Sequence, residues 1–135
     1  MNSWIIEPLS IPDEIDAILA IEQASFTNPW TREMYVAELK NQGVSFFYLA
    51  RDKGRQIVGF CSFWRVVDEL HINNLAVVPE YRRQGVATAL LRRVLEEAAR
   101  FDIRRTMLEV RRSNTAARQL YERFGFVVAG TRSNY

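Results

Sequence analysis

Cysteine and histidine are nearly missing from this chain: among 135 residues, Cys61 and His71 are the single residue of each kind. One thiol excludes an internal disulfide and a cysteine-built metal site, and His71 has no metal-ligand partner near it in sequence. An excess of either charge is missing too. Eighteen Lys and Arg face sixteen Asp and Glu, a net charge of +2, so no strong global field is implied. No apolar run has the length of a bilayer span. The opening residues Met1-Asn2-Ser3-Trp4-Ile5-Ile6-Glu7 lack the basic start and apolar stretch of a secretory leader. No repeat, linker or low-complexity tract is visible. These absences lead to the expectation of one metal-free domain spanning 1–135, cytoplasmic and away from the membrane.

What is present is the material for a core, with hydrophobic residues at 48%. Cys61 falls in the strand-like run Val58-Gly59-Phe60-Cys61-Ser62-Phe63-Trp64 and reads as a buried, inert thiol. The elements read in the order α-α-β-β-β-α-β-α-β, with a short strand at Trp4-Ile5-Ile6 ahead of them. Pro12-Asp13-Glu14 opens a first helix carrying Ile15, Ile18, Leu19 and Ile21-Glu22 at helical spacing, and Asn28-Pro29-Trp30 breaks it. Thr31 caps a second helix on which Met34, Tyr35 and Leu39 share a face, and Gly43 ends it. The runs Ser45 to Arg51, Gln56 to Val67 and Leu70 to Val78 read as an antiparallel meander, with Asn73-Asn74 marking a bulge in its third strand.

The second half alternates. Gly85 to Arg100 is a helix with Val86, Leu90, Val94 and Leu95 on one face and Arg92, Arg93, Glu96 and Glu97 mostly turned away. Thr106 to Arg111 is a strand. Ser113 or Asn114 caps a last helix with the stripe Ala117, Leu120, Tyr121 and Phe124; Gly125 closes it and Phe126 to Thr131 is strand-like. The β-α-β order after Val77 implies parallel pairing there. The fold class is therefore α/β, with a mixed, mostly antiparallel central sheet flanked by helices.

The most informative stretch is Tyr81-Arg82-Arg83-Gln84-Gly85-Val86-Ala87-Thr88-Ala89. It is a basic, small-residue loop between an apolar strand and a helix. A helix N-terminus offers free backbone N–H groups and a positive dipole, which suit a phosphate or pyrophosphate. Gly85 and Ala87 allow close approach to the backbone, and Arg82 and Arg83 can add charge-assisted bonds. The Lys-Ser/Thr pair of a P-loop and the three glycines of a dinucleotide fingerprint are both missing. A solvated arginine pair at a helix start fits the same residues.

The pattern Arg82-Arg83-Gln84-Gly85-Val86-Ala87 resembles the acyl-CoA pyrophosphate loop of the GCN5-related N-acetyltransferase (GNAT) family. Asn74-Leu75-Ala76-Val77-x-Pro79-x-Tyr81, Leu108-Glu109-Val110-Arg111-x-Ser113-Asn114-x-x-Ala117 and Leu120-Tyr121-x-x-Phe124-Gly125-Phe126 resemble further family segments, in family order. Phe26-x-Asn28-Pro29-Trp30, Leu108-Glu109-Val110-Arg111 and Arg132-x-Asn134-Tyr135 are similar to the ribosomal-protein alanine N-acetyltransferases within it. The resemblance implies acetyl-CoA as co-substrate and a protein N-terminus, that of a ribosomal protein, as acceptor. Nucleic acid is then only incidental. It also implies a further strand after Phe126 to Thr131. The sequence stops at Tyr135, so the expectation is a sheet lacking the family's final strand, its edge left open or completed by strand exchange with a second chain.

The same resemblance assigns roles. Glu109 accepts the proton of the incoming amine, because an ammonium has no lone pair with which to attack a thioester. Tyr121 protonates the leaving thiolate. Leu75, Ala76 and Val77 lie at the thioester, with backbone groups of Leu75 and Val77 available to its oxygen. Arg82, Arg83, Gln84, Gly85, Val86, Ala87 and Thr88 surround the pyrophosphate, and Asn114 touches the cofactor while capping its helix. From the residues alone, Glu109 also fits an ion pair with Arg104, Arg111 or Arg112, and Tyr121 a core aromatic. His71 fits a structural strand histidine or a base. An α-amine titrates near 8 and a lysine near 10.4, so deprotonating a lysine at pH 7 costs roughly 3 kcal/mol more. A small amine or lysine acceptor, and a non-catalytic module binding CoA or RNA, are the alternative readings.

Overall fold

The computed structural model describes residues 4–9, 14–25, 30–41, 43–108 and 115–127. Among these residues five strands lie in the order in which they occur: β1 (Ile5–Pro8), β2 (Ser45–Arg51), β3 (Ile57–Val66), β4 (Glu69–Val77) and β5 (Arg105–Leu108). β1 through β4 pair antiparallel and β4 pairs parallel with β5, so the sheet is mixed, as expected. The helices are α1 (Ile15–Ser25), α2 (Arg32–Leu39), α3 (Val86–Arg100) and α4 (Thr115–Arg123).

Both faces of the sheet are covered, which is why β2 and β3 read as nearly unbroken apolar runs rather than alternating ones. On one face Ile15, Ile18 and Ile21 of α1 and Tyr35 of α2 pack on Phe47, Leu49, Phe60 and Ala76. On the other, Val86, Leu90, Leu91 and Val94 of α3, with Leu120 of α4, pack on Cys61, Phe63, Leu70 and Ile72. Asp52 bonds the Gln56 N–H and closes the β2–β3 hairpin. The bulge expected at Asn73-Asn74 is present: Ser62 faces Asn74 and Phe63 faces Ile72, which leaves Asn73 as the extra residue.

Several local expectations shift. Thr31 caps α2, but the Met34 sulfur receives the Thr31 N–H at 3.4 Å. Met34 is 43% exposed and does not share the buried face of Tyr35. α2 ends at Leu39 with Lys40 as its cap, before Gly43 is reached. Glu97 is buried, because position 97 falls one turn beyond Val94 on the inner stripe; Arg93 at 3.3 Å and Arg100 at 3.1 Å neutralise it. Phe126 and Val127 are not in a strand, and the rest of the strand expected to Thr131 lies outside the described residues. So do residues 109–111, the far end of the strand expected from Thr106, and the cap residues Ser113 and Asn114.

α3 can sit close to the sheet because Gly59 has no side chain. A Cβ there would lie 3.0 Å from the Ala76 carbonyl oxygen, 3.1 Å from Val86 Cγ1 and 3.3 Å from Leu90 Cδ1. The first of these is backbone and cannot swing aside. Gly59→Ala is expected to cost about 1–3 kcal/mol by overpacking. Urea denaturation checks this; a variant as stable as the parent would show that α3 has room to spare.

Candidate active site

The basic loop is built by its own backbone. A single 3₁₀ turn, Pro79–Tyr81, follows β4, Arg83 takes a left-handed φ of +64°, and Gly85 does the same at +88° as the N-cap of α3. The left-handed geometry at Gly85 is why the position favours glycine. No side chain caps α3. Its first N–H groups, from Val86, Ala87 and Thr88, are those a helix leaves without intrahelical acceptors, and the Ala89 N–H closes the first turn onto the Gly85 carbonyl at 3.0 Å. A small anion with several acceptor oxygens fits such an end.

Neighbouring side chains hold the loop in shape. Gln84 Nε2 bonds the Glu80 carbonyl at 3.0 Å, and Arg82 Nε bonds the Val77 carbonyl at 3.1 Å. Trp4 Nε1 donates to the Gln84 carbonyl at 3.2 Å, and its ring meets Tyr81 edge-on at 5.9 Å. The Tyr81 hydroxyl donates to Asp52 at 3.0 Å. The Gln56 N–H and this phenol hold the Asp52 carboxyl below its ordinary range, and Asp52 in turn pushes the phenol up. Two side chains read from the sequence as phosphate ligands, Arg82 and Gln84, therefore also brace the loop.

Among the described residues, the half of β4 that enters the loop has no strand partner on its β5 side. The described β4–β5 pairing covers Glu69–Ile72 against Arg105–Leu108. Past Ile72 the bulge resets the strand. The Val78 N–H bonds the Val58 carbonyl on the β3 side, and Ala76 pairs with Phe60 on that same side. Alternation turns the main-chain groups of Leu75 and Val77 to the opposite edge. Of the three strand residues read as ligands, Leu75 and Val77 thus address that edge, while Ala76 serves the sheet and the α1–α2 core.

Tyr121 sits on α4 with its ring against Phe126 at 5.9 Å, on the α3 side of the sheet. The Phe126 N–H bonds the Tyr121 carbonyl at 3.1 Å, so the chain after Gly125 folds back over the ring. Packing and a directed hydroxyl are compatible there. Glu109 and Asn114 lie outside the described residues. His71 stands in the paired half of β4, 3.2 Å from Glu69. Burial pushes the Cys61 thiol up to about 12, which removes it as a nucleophile at neutral pH.

Sequence reasoning missed a buried polar line on the opposite face. Glu22 is 1% exposed and Tyr35 0%. The Tyr35 hydroxyl donates to Glu22 Oε1, the Trp30 N–H donates to Glu22 Oε2 at 3.1 Å, and Asn74 Nδ2 donates to the Tyr35 oxygen at 3.2 Å. Burial raises the Glu22 carboxyl, though Tyr35 and Trp30 pull it back. Burial and the neighbouring carboxylate both raise the Tyr35 phenol. The signal available in sequence was Glu22 standing four residues after Ile18, on the apolar face of α1.

The profile of the Acetyltransferase (GNAT) family matches residues 15–126. A Bacillus subtilis protein that carries the provisional name of a ribosomal protein bS18-alanine N-acetyltransferase is 40% identical over 123 residues, which are 91% of this chain and 81% of that protein. The Escherichia coli K12 ribosomal protein bS18-alanine N-acetyltransferase is 34% identical over 90% of this chain and 80% of its own length. A crystal structure of the Escherichia coli ribosomal-protein-S18-alanine N-acetyltransferase superposes with a TM-score of 0.89 at 32% identity, covering 98% of this chain and 83% of that one. Ard1 from Thermoplasma volcanium does so with a TM-score of 0.89 at 28% identity, over 98% and 88%. Together with the mixed sheet, the β4 bulge and the left-handed Gly85 opening α3, these matches make the chain a member of the GNAT acetyltransferase family.

Proposed function

We propose that the protein transfers the acetyl group of acetyl-CoA to the N-terminal amine of a protein, the N-terminal alanine of ribosomal protein bS18. The observation that carries this reading is the similarity, over nine-tenths of the chain, to relatives named for that reaction. A ribosomal acceptor puts the work in the cytoplasm. Among the described residues no helix is long and apolar enough to cross a membrane, and no cluster of His, Cys, Asp and Glu could hold a metal ion.

In this reading the N–H groups of Val86, Ala87 and Thr88, with Arg82, Arg83, Gln84 and Gly85 around them, take the diphosphate of the co-substrate. The open edge at Leu75 and Val77 takes the thioester arm, and a Leu75 or Val77 N–H faces the carbonyl oxygen as negative charge grows on it. Asn114 adds a cofactor contact. Glu109, directly or through a water, takes a proton from the acceptor ammonium and frees the nitrogen lone pair. The N–C bond forms, the C–S bond breaks, and Tyr121 gives its proton to the departing sulfur. One displacement suffices, with no covalent enzyme intermediate. An α-amine asks less of Glu109 than a lysine does, because its proton leaves near pH 8 rather than near 10.4.

Three measurements test this reading. Incubation with acetyl-CoA and short peptides differing only at the first residue, read by mass spectrometry, is expected to acetylate the Ala peptide at its α-amine; labelling of lysine alone would move the acceptor class. Glu109→Gln is expected to slow transfer by about 10²–10⁴, most steeply below pH 8, with coenzyme A still binding. A pH–rate profile parallel to the parent's would remove Glu109 from the base role. Gly85→Ala forces a left-handed φ on a residue with a Cβ, at a cost of about 1–3 kcal/mol. Relaxing that strain moves the loop, so the Kd for coenzyme A is expected to rise roughly tenfold by calorimetry. Unchanged affinity alongside a lower Tm would mean that the diphosphate is held elsewhere.

A further inference from the structure

The buried line of Glu22, Tyr35 and Asn74 ends at the β4 bulge, beside the strand edge assigned to the thioester, and its chemistry fixes which way one amide points. Both Glu22 oxygens accept, one from Tyr35 and one from the Trp30 N–H. A carboxylate has no proton to give, so the Tyr35 hydrogen is committed to it and the phenol oxygen can only accept. Asn74 must therefore turn its NH₂ toward Tyr35, which it does at 3.2 Å. Its carbonyl oxygen, Oδ1, is left facing away, and no donor among the described residues reaches it. Directly across the β3–β4 ladder stands Ser62, which is 3% exposed and whose hydroxyl has no partner among the described residues. Asn74 itself is only partly buried. Two hydrogen-bonding groups at positions paired across the ladder thus have no partner among the described residues, and unsatisfied polar groups in a partly buried place are costly unless a ligand or water completes them.

Position decides what completes them. The side chains of Asn74 and Leu75 leave β4 on opposite faces, Asn74 toward Tyr35 and Leu75 toward the α3 core. Tyr121, the donor to the leaving sulfur in the proposed reaction, is on the α3 face. The amine adds to one face of the planar thioester carbonyl before the C–S bond breaks, and with Tyr121 standing at the sulfur on the α3 side, the approach left to the acceptor is from the face of Asn74. Resting on that reaction, we infer that Asn74 Oδ1 receives an N–H of the acceptor amine, with the Ser62 hydroxyl beside it. Tyr35 and Glu22 are positioning residues that keep the amide turned oxygen-outward. The ligand class is a primary amine, which brings hydrogen-bond donors and no acceptor in its ammonium form.

Two variants separate this from a purely structural role. Asn74→Ala removes the outward oxygen. Asn74→Asp keeps it but turns a second carboxylate oxygen toward the Tyr35–Glu22 pair. The Asp variant is therefore expected to have the lower Tm of the two and yet the higher kcat/KM with an N-terminal Ala peptide. Asn74→Ala is expected to lose about tenfold or more in kcat/KM for the peptide, with its calorimetric Kd for coenzyme A unchanged. Tyr35→Phe, which frees the amide to turn over, is expected to fall between the parent and Asn74→Ala in kcat/KM. If kcat/KM follows Tm across the variants, or if Asn74→Ala turns the peptide over as fast as the parent does, the inference is overturned. A parent protein that binds coenzyme A but acetylates no amine overturns the proposed reaction and this assignment together, and the parent's own turnover tells the two failures apart.

Discussion

Strand β4 has to serve two partners that want different things from it, and the bulge at Asn73 is where the conflict is resolved. Up to Ile72 the strand bonds β3 on one side and β5 on the other. The extra residue then shifts the register against β3 by one, so Leu75, Ala76 and Val77 resume the antiparallel ladder while the main chain of Leu75 and Val77 faces the far edge. A strand interior cannot offer such groups, because its neighbours consume them. The bulge sets which residues bond β3, so that Leu75 and Val77 turn their main-chain groups the other way; bulges recur beside active sites.

That edge needs a rigid frame, and both faces supply it. α3 lies close on Gly59 and carries the first turn whose N–H groups are proposed to meet the diphosphate. Behind the loop, Trp4, Tyr81 and Asp52 tie it to β1 and to the β2–β3 hairpin, while Arg82 ties it to the end of β4. The basic loop and the end of β4 are thus joined through the Val77 carbonyl. On the other face Tyr35 bridges α1, α2 and the bulge, with its ring against Trp30, Phe47 and Phe60 and its hydroxyl on Glu22. The buried carboxylate is affordable only because two donors reach it.

Much of the fold follows from periodicity. The meander, its hairpin, the bulge, the parallel return and the α3 stripe each rest on a local signal: alternation, a turn composition, an Asn pair in an apolar run, or helical spacing. The departures have local causes of their own. Met34 left its expected face because its sulfur is used in the Thr31 cap, and Glu97 entered the core because two arginines one turn away neutralise it. The candidate site divides the same way. Gly85 and its basic neighbours form one continuous segment, and a contiguous motif can be read as such. The line from Glu22 through Tyr35 to Asn74 draws its members from α1, α2 and β4, with gaps of 13 and 39 residues between them. No spacing rule connects residues so far apart.

Legible in the sequence alone were the order of the described strands and helices, the basic loop that opens α3 and the family to which those segments belong, because each depends on residues within a turn or two of one another. It could not decide which backbone groups of β4 turn away from β3, that Arg82 and Gln84 brace the loop they also line, or which way the Asn74 amide faces. Those outcomes depend on register across strands and on a proton committed between side chains of different elements. Long-range packing fixes both, and only the folded chain brings the partners together.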